Sequence, residues 1–166
     1  RFDKSKFIAE DLGLITEDVK QIINRYELPG MKILLFAFGD DYPYGDYLPN
    51  NINNDCVIYT GTHDNNTVLG WWSEEAGDIE KNRVNEYLEK EVNDDNINWE
   101  LIELAMRSRA DTVIIPMQDI LSLGASARMN TPSTTCGNWT WKLDSLDFFT
   151  GIIEKLKGLS KYNDRG

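Results

Sequence analysis

The chain of 166 residues has one histidine, His63, and two cysteines, Cys56 and Cys136. The cysteines are far apart in the sequence and follow no metal-ligand spacing, and a Cys/His zinc site needs more such ligands than this chain holds. We therefore expect no zinc site. The two cysteines could pair with each other, but we expect free thiols, as in a reducing cytosol.

Basic residues are also scarce. Seventeen Lys and Arg stand against twenty-eight Asp and Glu, for a net charge of −11. Nucleic acids and anionic membrane surfaces attract basic proteins, so neither is expected as a partner. No signal-like start and no apolar run of about 18 residues occurs, so we expect neither secretion nor membrane spanning and predict a cytoplasmic location.

Aromatic residues, by contrast, are plentiful, with five Trp, seven Tyr and six Phe. Such rings commonly fill a protein core. Trp beside Asn, Asp and Gln is also typical of sugar-binding clefts, because the apolar face of a pyranose stacks on a flat ring. Composition leaves both interpretations open.

Short apolar β-like runs alternate with amphipathic helical patterns along the chain. The β-like runs are 7–9, 31–39, 56–64 and 111–121, and the helical patterns are 16–26, 78–92, 99–110 and 144–157. This alternation predicts an α/β fold with parallel strands. No glycine-rich phosphate loop is present, which weakens a nucleotide-binding sheet as the interpretation.

Polar pairs lie at the carboxyl ends of the β-like runs or directly after them. They are Glu10-Asp11, Asp40-Asp41, His63-Asp64 and Gln118-Asp119. Because barrel enzymes keep their chemistry at the carboxyl ends of the strands, the pattern favours a (β/α)8 TIM barrel over a doubly wound sheet. A whole barrel needs about 250 residues. Residues 1–166 are therefore predicted to form a single partial domain, the C-terminal half of a barrel with about four βα units and its N-terminal half absent.

Two carboxylates at such an edge suit glycoside chemistry. One carboxyl group donates a proton to the leaving oxygen, and a second stays ionised against an oxocarbenium-like transition state. Glu10 and Asp64 occupy equivalent places after two β-like runs. The alternative is that each simply caps the following helix.

Two further features are candidates for ligand binding. His63 has small polar neighbours, which favours a hydrogen bond to a sugar hydroxyl, although a histidine satisfied at a strand end is the alternative. The loop 127–142 concentrates polar and aromatic side chains, which are Arg128, Asn130, Asn138, Trp139 and Trp141. Such loops often bind ligands. A loop pinned by two half-buried tryptophans is the other interpretation.

Five motifs together resemble one enzyme family. They are "IAEDLGLITEDV", "LPGMKILLFAF", "YTGTHDNNTVLGWW", "IIPMQDIL" and "RMNTPS…GNWTWK". In order and spacing they are similar to the C-terminal part of the catalytic barrel of the 4-α-glucanotransferases, the amylomaltases or disproportionating enzymes of glycoside hydrolase family 77 in the α-amylase clan. The resemblance covers about residues 6–157.

The resemblance implies a retaining transglycosylase of starch and glycogen metabolism that acts on α-1,4-glucans and maltooligosaccharides and needs no cofactor. It implies that Glu10 is the general acid/base, that Asp64 stabilises the transition state, and that His63 binds sugar hydroxyls. It also implies that Asn130 or Asn138 lies near the substrate. The tryptophans, Trp71 and Trp139 foremost, are candidates for stacking in the acceptor site.

The chain departs from the family pattern in three places. Ser133 follows Pro132 where the family has Gly, and Lys142 stands where the family commonly has Arg, whose bidentate fork Lys cannot reproduce. The family's nucleophilic Asp, in an Arg-x-Asp-His motif, has no counterpart here. We therefore expect these 166 residues alone to be inactive and to need the missing N-terminal half. An α-amylase-clan hydrolase or debranching enzyme, and a non-catalytic glucan-binding fragment, are the alternatives.

Overall fold

The computed structural model of the protein describes residues 7–146 and 149–165, and a parallel three-stranded sheet lies at its centre. The strands are β1 (Gly30–Ile33), β2 (Cys56–Tyr59) and β3 (Thr112–Ile114), in the order β1-β2-β3. Met31 pairs with Val57, and Ile58 pairs with Val113. The predicted α/β fold with parallel strands is confirmed.

Helices connect and follow the strands. They are α1 (Glu17–Tyr26), α2 (Val68–Gly70), α3 (Asp78–Leu88), α4 (Ile97–Arg107), α5 (Met117–Ile120) and α6 (Phe149–Tyr162). A π-helical turn, Trp71–Glu75, continues α2, and short 3-10 turns cover Leu34–Phe36, Pro49–Asn51 and Ala125–Ala127. Each connection between neighbouring strands therefore contains helical turns, as parallel pairing requires.

Helix α1 forms where the sequence predicts it. Thr16 is the N-cap residue in an extended conformation, Glu17 and Asp18 lie in the first turn, and Arg25 lies in the last turn. Acidic residues at the start and a basic residue at the end both interact favourably with the helix dipole. Thr16 as N-cap leaves no capping role at this helix for Glu10 or Asp11, so that alternative is wrong.

Strand β1 is shorter than the predicted run 31–39. After Ile33 the backbone turns into a 3-10 helix, and Leu34, Leu35 and Phe38 are buried there at 5% exposure or less. The apolar run thus supplies core residues but not a long strand. An apolar run alone does not distinguish a buried strand from a buried helical turn.

The predicted β-like run 7–9 is not a strand. Ala9 N donates a hydrogen bond at 2.9 Å to the backbone O of Pro29, the residue before β1. Within β1, the backbone N of Met31 donates a hydrogen bond to Asp11 Oδ1 at 2.7 Å. A Cβ at Gly30 would lie 2.5 Å from Asp11 Oδ2, so the close approach needs a glycine. The Asp11 carboxylate thus takes the place of a backbone acceptor for Met31 N, so the run 7–9 does not continue as a strand paired with β1.

Other bounds shift by a few residues. Helix α3 ends at Leu88 rather than 92, and α6 begins at Phe149 rather than 144, which leaves Leu146 outside it. The predicted run 111–121 divides at Pro116 into β3 and α5, because the residue before a proline favours extended backbone and Pro suits a helix start.

The hydrophobic core contains buried residues of the sheet and of α4. Ile97, Leu101, Ile102 and Ala105 of α4 are fully buried, and this helix packs against α2, α5 and α6. Both cysteines are free thiols, Cys56 buried and Cys136 exposed. Within residues 7–146 and 149–165, no helix has the length and apolar character to cross a membrane.

Candidate active site

The loop that follows β2 carries His63 and Asp64 at the carboxyl edge of the sheet. Their side chains are 56% and 49% exposed, and His63 Nε2 lies 3.3 Å from Asp64 Oδ1. Within the loop, Thr62 N and Thr62 Oγ1 both donate to Asn65 Oδ1 at 2.8 Å. The turn is thus closed by its own polar side chains, and it holds a carboxylate and an imidazole open to solvent.

Asp64 does not cap the helix that follows it. The N-cap of α2 is Thr67, whose Oγ1 accepts from Gly70 N at 3.0 Å. The capping alternative considered for Asp64 is therefore wrong, and its carboxylate is available for other partners.

Asn130 joins the second polar loop to this pair. Its Nδ2 donates to Asp64 Oδ1 at 2.6 Å, and its backbone N donates to His63 O at 3.0 Å. The structure thus brings together three of the predicted site residues, and Asn130 lies 66 positions along the chain from Asp64.

Arg128 braces the same junction, and sequence reasoning placed it only in the polar loop. Its Nη2 donates to Asp64 O at 2.7 Å, its Nε donates to Asn130 O at 2.9 Å, and its Nη1 donates to Glu75 Oε1 at 3.2 Å. Glu75 Oε1 also accepts from Asn66 Nδ2 at 2.9 Å. One guanidinium therefore holds the backbone of both loops, which suits the rigid fork of Arg. The "RMN" motif was the one signal of this in the sequence.

Trp139 lies beside His63. The two ring centroids are 5.1 Å apart, and Trp139 is 61% exposed. Its backbone has φ of 59°, in the left-handed region, and its N–H donates to Met129 O at 2.7 Å. Left-handed backbone at a bulky residue is strained, and such strain clusters at binding sites. A large ring held in this way presents an open face next to an imidazole.

Asn138 supports the loop from within. Its Oδ1 accepts from Thr131 N at 2.9 Å, and its Nδ2 donates to Thr134 Oγ1 at 2.9 Å. Both ends of the amide are engaged inside the loop, so Asn138 shapes the loop while Asn130 reaches Asp64.

Trp71 lies in the core and not in this cluster. It is 8% exposed, and its ring centroid is 6.3 Å from those of both Phe38 and Trp72. A ring so covered offers no open face to a sugar. The expectation that Trp71 stacks on substrate is corrected accordingly: its place in this fold is packing.

Glu10 lies on the segment beside β1, at the other side of the sheet from β3. It is exposed, and its neighbour Asp11 holds the segment through the hydrogen bond to Met31 N. Strand β1 therefore lies between this segment and β2, the strand that leads to Asp64.

A cavity of about 160 Å³ opens at the cluster. Its walls include Thr62, His63, Arg128 and Trp139. Hydrogen-bonding groups on one side and an aromatic face on another suit a polyhydroxylated ring. Among the residues that the structure describes, no three His, Cys, Asp or Glu are grouped to hold a metal ion.

The chain is similar to proteins of one family. The family described as 4-alpha-glucanotransferase matches residues 2–147. The chloroplastic/amyloplastic 4-alpha-glucanotransferase DPE1 of Arabidopsis thaliana is 48% identical over 151 residues, which cover 90% of this chain and 25% of that protein. The 4-alpha-glucanotransferase of Aquifex aeolicus is 43% identical over 159 residues, which cover 95% of this chain and 32% of that protein.

A solved structure agrees with these matches. The amylomaltase from Streptococcus agalactiae in complex with acarbose superimposes with a TM-score of 0.89 and 31% sequence identity, over 96% of this chain and 32% of that chain. The chain thus spans between a quarter and a third of the length of these relatives.

Proposed function

This chain belongs to the 4-alpha-glucanotransferase family, and from that premise we propose that it forms the C-terminal part of the catalytic (β/α)8 barrel of such an enzyme. The full enzyme transfers α-1,4-glucan segments to the 4-hydroxyl of an acceptor glucan or glucose. The observation that carries this proposal is the convergence of Asp64, His63, Asn130 and Trp139 at the carboxyl edge of a parallel sheet.

The proposed reaction is a retaining double displacement. A nucleophilic carboxylate attacks the anomeric carbon of the donor glucan while Glu10 donates its proton to the leaving glycosidic oxygen. The sequence has no Arg-x-Asp-His motif, since its one histidine is His63, so that nucleophile comes from outside these 166 residues. In the second step Glu10 takes the proton of an acceptor 4-hydroxyl, whose oxygen attacks the anomeric carbon and displaces the nucleophile.

In this scheme Asp64 stabilises the positive charge that develops on the donor sugar. Cleavage of the glycosidic bond runs ahead of bond formation to the nucleophile, so positive charge develops on the sugar ring. An ionised carboxylate close to this charge lowers the energy of the transition state. Asn130 fixes the carboxylate through its 2.6 Å hydrogen bond, and Arg128 fixes the backbone of Asp64. His63 and Trp139 complete the sugar-binding surface with a hydrogen-bonding ring and a stacking face.

Incubation of maltotriose with the full-length enzyme that contains this chain tests the function. We expect glucose together with a ladder of longer maltodextrins, measured by chromatography, because the acceptor 4-hydroxyl takes the place of water. Shortening without longer products would indicate a hydrolase or debranching enzyme instead. Residues 1–166 alone are expected to give no ladder, and glucan binding without turnover by the full-length protein would indicate a binding module.

Trp139→Ala in the full-length enzyme tests the sugar-binding surface. Loss of an aromatic stacking partner should weaken binding of acarbose by up to about tenfold, since such contacts contribute about 0.5–1.5 kcal/mol beyond area burial. Titration calorimetry measures the change, and Trp139→Phe should recover part of the affinity. Trp99→Ala is the matched control, because Trp99 lies on α4 and does not line the cavity. Equal weakening by both variants would contradict a sugar-binding role for Trp139.

A further inference from the structure

Asp119 is a buried carboxylate that lines the same cavity as His63 and Trp139. It lies on α5 with 1% exposure. Its Oδ2 accepts from Thr60 Oγ1 at 2.5 Å, and its Oδ1 accepts from Val68 N at 2.8 Å. Its backbone O accepts from Asn98 Nδ2 at 3.1 Å, which ties α5 to α4.

The two donors stand at the two ends of one loop. Thr60 directly follows the last residue of β2, and Val68 is the first residue of α2. The chain between them, 61–67, is the loop that carries His63 and Asp64. A single carboxylate from a third element therefore clamps both ends of this loop.

The Asp119 carboxylate is buried, so its charge depends on the hydrogen bonds that it accepts. Burial raises the pKa of Asp119 to about 6, while the hydrogen bonds from Thr60 and Val68 act in the opposite direction. At neutral pH the group is mainly ionised and accepts from both donors. Charged groups are almost never fully buried without such partners, so this carboxylate depends on the two donors to be tolerated here.

We propose that Asp119 is a positioning residue for the transfer reaction: clamped between Thr60 and Val68, it holds the loop 61–67 in the arrangement that directs Asp64 at the donor sugar. This inference rests on the proposed function. It assigns Asp119 no contact with substrate. Because small displacements of a catalytic group can lower a rate by about a hundredfold, loosening the clamp lowers kcat.

Thr60→Val in the full-length enzyme removes one arm of the clamp at nearly constant shape. We expect kcat for maltotriose disproportionation to fall at least tenfold and KM to change by a smaller factor, since Asp64 and His63 lie on the loosened loop whereas Trp139 lies outside it. Thr60→Ser restores the hydroxyl and should return kcat to within threefold of the parent. Ser108→Ala is the matched control, because it removes one buried hydrogen bond, from Ser108 Oγ to Ala105 O, at the far end of α4.

The outcomes separate the inference from the function. If the parent makes no ladder, the proposed function fails. If the parent makes the ladder and Thr60→Val keeps kcat within twofold, or if Ser108→Ala loses kcat as much as Thr60→Val, the clamp is overturned. Should Thr60→Val not fold, Asp119→Asn applies the same criteria: it keeps an acceptor for Val68 N–H but presents an amide to Thr60, and unchanged kcat there overturns the proposal.

Discussion

Replacement of Glu10 by Gln in the full-length enzyme is expected to lower the rate of transfer from maltotriose by about a thousandfold, within the range of about 10²–10⁴ typical of general acid/base groups. Gln matches Glu in size but has no proton to donate to the glycosidic oxygen. The expected loss depends on the leaving group. The leaving group of α-maltosyl fluoride is fluoride, which departs without protonation. The first turnover of this donor should therefore remain fast and appear as a burst of about one fluoride per enzyme.

Glu17→Gln is the matched control for this experiment, because Glu17 is an exposed carboxylate nearby at the start of α1. It should leave both donors unaffected. A Glu10→Gln enzyme that transfers from maltotriose at the parental rate would contradict the acid/base assignment. The assignment would also be contradicted if Glu10→Gln slowed the first turnover of α-maltosyl fluoride as much as it slows transfer from maltotriose.

Asp64→Asn is expected to lower kcat by about 10²–10³-fold, by analogy with removal of one preorganised electrostatic contact. Asn can still accept the hydrogen bond from Asn130 Nδ2 through its Oδ1, so the loop geometry is preserved while the negative charge is lost. Positive charge develops on the donor sugar whatever the leaving group. Unlike Glu10→Gln, this variant should therefore slow maltotriose and α-maltosyl fluoride alike.

Steady-state transfer and the fluoride burst, measured side by side, check the expectation. Asp94→Asn is the matched control, since Asp94 is exposed in the loop before α4 and its loss changes the net charge equally. A normal fluoride burst in Asp64→Asn would indicate that Asp64 does not act on the transition-state charge.

Local pattern predicted several parts of the fold well. The amphipathic pattern of 16–26 predicted α1, and the run that contains β2 predicted a strand that leads to His63 and Asp64. These features depend on residues close together in the sequence. Strand β1 was predicted too long, because the turn after Ile33 depends on packing that apolar composition alone does not specify.

The supports of the site could not be predicted in the same way. Arg128 reaches Asp64 O across 64 positions, and Asp119 reaches Thr60 across 59. Neither contact can be recognised from a local sequence pattern, because each depends on how the sheet positions loops that are distant in the sequence. The family resemblance suggested that Trp71 stacks on substrate, whereas its ring packs against Phe38 in the core.

The stereochemistry of azide capture tests the central claim most directly, namely that Glu10 is the acid/base of a retaining site whose nucleophile lies outside these residues. In Glu10→Ala of the full-length enzyme, α-maltosyl fluoride should form the glycosyl-enzyme, and azide, which needs no base, should displace the nucleophile from the anomeric carbon. Two inversions give α-maltosyl azide, identified by proton NMR. The β-anomer would come from a single inversion at the α-fluoride and would identify Glu10 as the nucleophile, which contradicts the account.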